Sequence, residues 1–244
     1  SYTDLETVAL FGFIMVIGSV IILAVEAVIN GVRPFLFEQF ALSRKGSKAM
    51  ISVLNAMIIN IPLFFVPFII LIACHMHLLT DKLLYHRVRE YIALACLLYF
   101  LMVISKLFYQ QLLFAKKSMT ITLLSSLAVM ILIVGFVLLI PGHAIIGVLI
   151  ATIIANLVLC FLFFSFAQKA LYVRHDARSI IISPLLVFSV IFILQFNMTS
   201  LNLNYSQFGL LQFVLVLAII MVLNIKNLRS YLKVFSRKGL DEGI

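Results

Sequence analysis

Apolar residues follow one another along this chain with neither a helical stripe nor strand alternation, in seven runs separated by short polar breaks. The runs are Val8–Ile29, Met50–Ala73, Tyr91–Phe114, Met119–Ile140, Ala144–Gln168, Ile180–Phe196 and Phe208–Ile225. A helix needs about 20 mostly apolar residues to cross roughly 30 Å of hydrocarbon, and the first five runs are long enough. The sixth is short, with Pro184 in its first turns, and the seventh is short and closed by Asn224. A membrane barrel would alternate apolar and polar residues, which these runs do not. The pattern predicts an all-α fold: a polytopic membrane bundle of about seven helices over residues 1–225, with a basic tail at 226–244. No connection between runs is long enough for a soluble domain.

Polar residues inside a span are costly and therefore informative. Glu26, Asn30 and Arg33 recur at i, i+4 and i+7, on one helix face. They either neutralise one another or line a path. Arg33 alone also reads as a cation reaching back to the interface, whereas a short acid such as Glu26 reaches poorly. Pro34 is expected to kink or end that helix. Lys106 lies about ten residues, roughly 15 Å of helix, from Lys116 at the end of its span. Tyr109 and Gln110 follow at i+3 and i+4, forming a polar stripe. A lysine facing a cavity there suits an anionic ligand such as a phosphate-bearing lipid; the plainer reading is a lysine that snorkels to the interface. Ser52, Asn55 and Asn60, and Thr152 with Asn156, read as bonds between helices. Gly147, Ala151 and Ala155 form a row of small residues that lets helices approach. Pro62 and Pro67 should bend the second span.

Composition agrees with the pattern. Of 244 residues, 64% are hydrophobic and 11% charged, against about 45–50% and about 25% in soluble domains. The net charge of +9 would suggest nucleic acid in a soluble protein. Here the positions of the charges decide: 15 of the 18 Lys and Arg fall on one side of the predicted spans and 3 on the other. By the positive-inside rule the tail is cytoplasmic and the first residue outside. No nucleic-acid partner is expected. An outside start without a signal-like leader at Ser1 leads to the expectation that an upstream part with an odd number of spans precedes this chain; a seven-span protein after signal cleavage is the alternative.

Catalytic and cofactor signatures are absent: no Walker loop, dinucleotide glycine pattern, HExxH or nucleophile elbow occurs. No cofactor, metal or catalytic residue is expected, and the chain is not expected to be an enzyme. Cys74-His75-Met76-His77 reads as chance clustering, and Cys96 and Cys160 as small apolar residues.

Several segments resemble one family. Arg33-Pro34-Phe35-Leu36-Phe37-Glu38-Gln39 at the end of a span resembles the exit of a helix in bacterial polysaccharide flippases, within the multidrug/oligosaccharidyl-lipid/polysaccharide exporter superfamily. Phe114-Ala115-Lys116-Lys117-Ser118 looks like the family's basic turn. Leu139 to Thr152, with Pro141, Gly142 and Gly147, resembles its Ile-Pro…Gly junction, although Val148 and Leu149 replace the usual alanine pair. Tyr2-Thr3-Asp4 to Gly12 looks like its acidic outer turn. The likeness covers about residues 1–170; the last two spans match nothing in it. It implies the C-terminal lobe of a two-lobed, multi-pass flippase of the bacterial inner membrane, working with an N-terminal lobe of the same protein. The implied substrate is an undecaprenyl-pyrophosphate-linked oligosaccharide for O-antigen or capsule. The implied mechanism is alternating access, with Lys106 and Arg33 drawing the pyrophosphate and Glu26 balancing a charge or binding a coupling cation. Asn30, Tyr109 and Gln110 complete the candidate substrate site. The alternatives are a drug or small-molecule antiporter of the same superfamily, a glycan polymerase or ligase, and a structural membrane subunit.

Overall fold

A computed structural model describes residues 5–42, 48–79, 87–173, 175, 178–197, 204 and 206–223. All regular structure among them is helical. The elements are α1 (Leu5–Leu42), α2 (Lys48–Cys74), a single turn α3 (Met76–Leu79), α4 (Val88–Phe114), α5 (Ser118–Ala170), α6 (Ser183–Phe196) and α7 (Ser206–Leu223). One π-helical turn, Arg178–Ile182, leads into α6, whose Pro184 sits at its start, where no backbone donor is missed. Among the described residues four helical stretches are long and apolar enough to cross a membrane: Val8–Glu38, Val88–Phe114, Ser118–Ala170 and Ser206–Leu223. Ile58–Cys74 and Ile180–Phe196 are shorter apolar helices.

The long helix α5 is not straight. Ala144 has φ 45° and ψ −120°, directly after Pro141-Gly142-His143, and the chain reverses there. A Cβ added to Gly135 would lie 2.9 Å from the Ala151 Cβ. In a continuous helix those residues would stand about 24 Å apart, so α5 is a hairpin of two arms, 118–143 and 145–170. Gly147 is required at the bend, because a Cβ there would meet the Leu139 carbonyl oxygen at 2.4 Å. The row of small residues is therefore the packing seam of this hairpin.

Helix α4 is the axis of the bundle. Nearly every position from Ile92 to Leu112 is buried or half-buried, and α1, α2, α5 and α6 all pack on it. Tyr99 fixes α1 to α4. Its hydroxyl donates to the Met15 carbonyl at 2.7 Å, and its ring fills the place a Cβ on Gly18 would take, 2.3 Å from Cε2. Phe100 meets Phe188 of α6, and the Cys160 thiol of α5 donates to the Leu101 carbonyl at 3.1 Å.

Pro34 does not end the first helix. α1 runs on through Leu42, past the exposed proline ring. Leu36 and Phe40 beyond it are buried, and Phe37 and Phe40 stack with Phe114 at ring separations of 5.5 and 5.3 Å. That packing outweighs the hydrogen bond a proline removes. The stretch read as the exit of a span is thus still helix, clasped to the end of α4.

Candidate functional site

The register of α1 against α4 places the candidate residues. Met15 and Gly18 lie at Tyr99, and Phe37 and Phe40 lie at Phe114. The two helices therefore run parallel, and Glu26 falls level with Lys106. The Lys106 ammonium donates to Glu26 Oε1 in a hydrogen-bonded ion pair. Lys106 is eight residues, about 12 Å of helix, from the end of α4, so the pair sits within the apolar stretch of both helices. It is not sealed inside the bundle: the Lys106 side chain is 31% exposed and that of Glu26 49%. Each charge cancels much of the other's desolvation cost in hydrocarbon. A free cation looking into a cavity is therefore not the arrangement found; Lys106 already has a carboxylate partner on the neighbouring helix.

One to two turns further along, Asn30 is exposed, and Arg33 is half-buried with its Nε carrying no hydrogen-bond partner. By the same register Arg33 stands level with Gln110. The Gln110 side chain is only 3% exposed, and its Oε1 is also unpartnered. Tyr109 is half-buried and packs on Phe163 of α5, with ring centroids 6.4 Å apart. The α1–α4 seam thus brings together the ion pair, a guanidinium N–H and a buried amide, both with hydrogen-bonding capacity to spare. Such orphaned buried groups are uncommon and call for a partner.

A second polar cluster escapes sequence reasoning. His175, in the connection after α5, enters the end of the bundle where α4 finishes. Its Nδ1 lies 3.2 Å from Asn55 Nδ2 on α2 and its Nε2 lies 3.1 Å from Gln111 Nε2 on α4. Phe108 and Phe164 flank the ring. Neutral imidazole has one N–H and one lone pair, so one of the two amides must present its oxygen. Gln111 Oε1 is otherwise unpartnered. A half-turn of that amide lets Oε1 accept the Nε2–H while Asn55 donates to Nδ1. Burial lowers the His175 pKa from 6.5 to about 4, because the charged ring would lose its water. The connection is pinned again where Val173 N–H donates to Gln168 Oε1 at 3.2 Å and Gln168 Nε2 donates to the Val173 carbonyl at 3.0 Å. The only sequence signal was the presence of in-span amides that need partners. Partners 64 and 120 residues distant leave no spacing to read.

Other polar stripes resolve differently. Thr152 and Asn156 do not bond across helices; each donates to a carbonyl four residues back in its own helix, at 2.7 and 2.9 Å. Asn60 is buried in α2, and Ser52 lies among residues whose side chains are outside the described set. At the opposite end of the bundle, Gln195 Nε2 donates to the Arg89 and Glu90 carbonyls at 3.1 and 3.0 Å, tying α6 to the start of α4. A cavity of about 190 Å³ lies there among Cys74, Arg89, Glu90, Gln195, Phe208 and Gln212. The basic tail at 226–244 lies outside the described residues.

The chain matches no family model, no curated protein and no solved structure. What the geometry establishes is that all regular structure among the described residues is helical, with four stretches there long and apolar enough to be embedded in a membrane and a hydrogen-bonded Glu26–Lys106 pair inside two of them.

Proposed function

We propose that this chain is a transport lobe that handles an anionic, lipid-linked substrate at the α1–α4 seam. The concrete form of the proposal is a flippase for undecaprenyl-pyrophosphate-linked oligosaccharide, acting in the bacterial inner membrane with a partner lobe. Its seven spans would place the first residue outside and the tail in the cytoplasm. The observation that carries this reading is the half-exposed Glu26–Lys106 pair within the apolar length of α1 and α4. A purely structural pair in a span gains from being closed off from lipid, whereas this one is reachable from the bundle surface. Arg33 and Gln110 supply further hydrogen-bonding capacity on the same seam. The segment-level resemblance to polysaccharide flippases supports the substrate class, and the short connections leave little room for an enzyme's polar loops.

The test is Lys106→Ala in the full-length protein, expressed in a host whose surface glycan depends on it. The expected outcome is loss of glycan display, and the double variant Glu26→Gln/Lys106→Met, which strands no charge, should keep the protein level normal while display stays lost. Normal display by Lys106→Ala would overturn the role of the seam.

A further inference from the structure

The pairing of Lys106 carries a consequence that rests on the proposed anion site. The ammonium has further N–H donors, but Glu26 already balances its charge, so an anion added at Lys106 would leave excess negative charge there. Displacing Glu26 would strand a carboxylate within an apolar span, which is strongly unfavourable. No neighbouring side chain can take over its charge. On α1 the charged neighbours are Arg33, two turns away, and Glu38. From α4 come Lys106 itself and the phenol Tyr109, with Arg89 and Glu90 at the far end. α2 has no Lys, Arg, Asp, Glu or His between Asn55 and Ala73, and α5 has only His143 between Ser118 and Gln168. Counting Arg33, the seam carries +1 and balances one negative charge as it stands; a group with two, such as a pyrophosphate diester, is balanced only when Glu26 also takes up a proton.

We propose that Glu26 is a resident competitor for the anion, so that an anionic oxygen takes Lys106 only as Glu26 takes up a proton from water. The exchange balances. A seam of net charge +1, made of Glu26, Lys106 and Arg33, takes up a pyrophosphate diester with two negative charges and one proton, and ends neutral with Glu26 as a carboxylic acid. The ligand chemistry is a phosphate or pyrophosphate group. Beyond the oxygen on Lys106, the Arg33 Nε–H and the Gln110 amide, turned by half a rotation, offer donors to its other oxygens. Lys106 and Gln110 are one helical turn apart, about 6 Å, which suits a ligand with more than one acceptor.

The test measures binding to the purified full-length protein between pH 6 and 8 in two arms. One arm uses inorganic pyrophosphate; the other uses phosphatidylcholine vesicles with and without a polyprenyl pyrophosphate. Because the probe's own phosphate groups titrate near pH 6, the reading is the difference between wild type and Glu26→Gln: wild-type affinity should fall by up to about tenfold more per pH unit as pH rises, the slope of one linked proton. Glu26→Gln keeps the shape but removes the competing charge. It should bind more tightly than wild type at pH 8 and lose that extra slope. Lys106→Met should not bind. The double variant Glu26→Gln/Lys106→Met guards against misfolding, since replacing both members of a pair by neutral groups preserves stability better than removing one; it too should not bind. Binding in the vesicle arm alone assigns the anion to a lipid headgroup, and binding in both arms assigns it to the phosphate chemistry itself; either supports the exchange when linked to pH. Binding that needs Lys106 but ignores both pH and Glu26 overturns the exchange and leaves the seam's anion role standing. Absence of wild-type binding, or binding untouched by Lys106→Met, overturns both.

Discussion

Helix α4 and the first arm of α5 are neighbours in sequence, joined by one tight turn, yet they live in opposite surroundings. Of the most apolar stretch of α4, 72% is buried; of that of α5, 11%. The first arm of α5 buries only Leu124 and Ala128, while Met119, Met130, Val137 and Leu138 stand exposed. The buried helix is nevertheless the more polar of the two. It carries Ser105, Lys106, Tyr109, Gln110 and Gln111, whereas the exposed arm has hydroxyls at Ser118, Thr120, Thr122, Ser125 and Ser126 but no charge or amide. In water the ordering would be reversed. Where the surroundings are hydrocarbon, an apolar side chain gains little by leaving them, and polar side chains are the ones driven inward to find partners. Polarity rather than hydrophobicity therefore marks the centre of this bundle, and the candidate site lies on its most polar helix.

The contrast breaks most directly at two large apolar side chains. Phe100 is 1% exposed in α4 and packs on Phe188, while Leu138 is 71% exposed in the first arm of α5. Phe100→Ala opens a cavity, and should cost about 3 kcal/mol. Leu138→Ala removes as apolar a group but no packing, and should stay within about 0.5 kcal/mol. Denaturant unfolding of both variants in the same detergent measures the difference. Equal losses would mean that the exposed arm is packed as tightly as the axis, and the comparison would fail.

The end of α4 gives the next contrast, through two histidines. His175 is half-buried against Phe108 and Gln111, with its pKa lowered to about 4. His143 sits exposed at the bend of α5. The folded protein binds the His175 proton less readily than the unfolded chain does. Stability should therefore be full above pH 6.5 and fall as pH drops toward 4, by at most about 3 kcal/mol. His175→Phe keeps an aromatic ring between Phe108 and Phe164 and should flatten the curve of Tm against pH over that window. An unchanged slope in the His175 variant would show that this ring is not what couples the fold to acid.

The same contrast explains how much the sequence discloses. Apolar runs show where helices lie, since an uninterrupted run of that length has one stable solution in a bilayer. The reversal at Pro141-Gly142-His143 was readable, because the polar break falls between two long runs and the glycines 135 and 147 allow the arms to close. Pro34 misled, because the aromatic residues that carry α1 past it meet Phe114 from another helix. Glu26 and Lys106 were both readable as costly residues, but their pairing across 80 positions was not, since spacing reports only on neighbours within a helix. His175 was hidden for the same reason, its partners lying on α2 and α4.

The turn that joins the two regions carries the smallest expected effect. α4 ends with Lys116 at φ 57°, a left-handed conformation that places Lys117 N–H on the Leu112 carbonyl and Lys116 N–H on the Leu113 carbonyl, both at 3.0 Å. This double bond at a helix end is ordinarily built on glycine, because a Cβ crowds the following carbonyl. Lys116 is exposed and makes no contact that would repay the strain. Lys116→Gly should relieve it and raise stability by about 0.5–1 kcal/mol, after the greater freedom glycine gives the unfolded chain. Lys116→Ala, which keeps the Cβ, should not stabilise. If Lys116→Gly instead lowers Tm while Lys116→Ala is neutral, the turn must already be relaxed, and the chain's passage from the buried axis to the exposed arm would not be held by this strained residue.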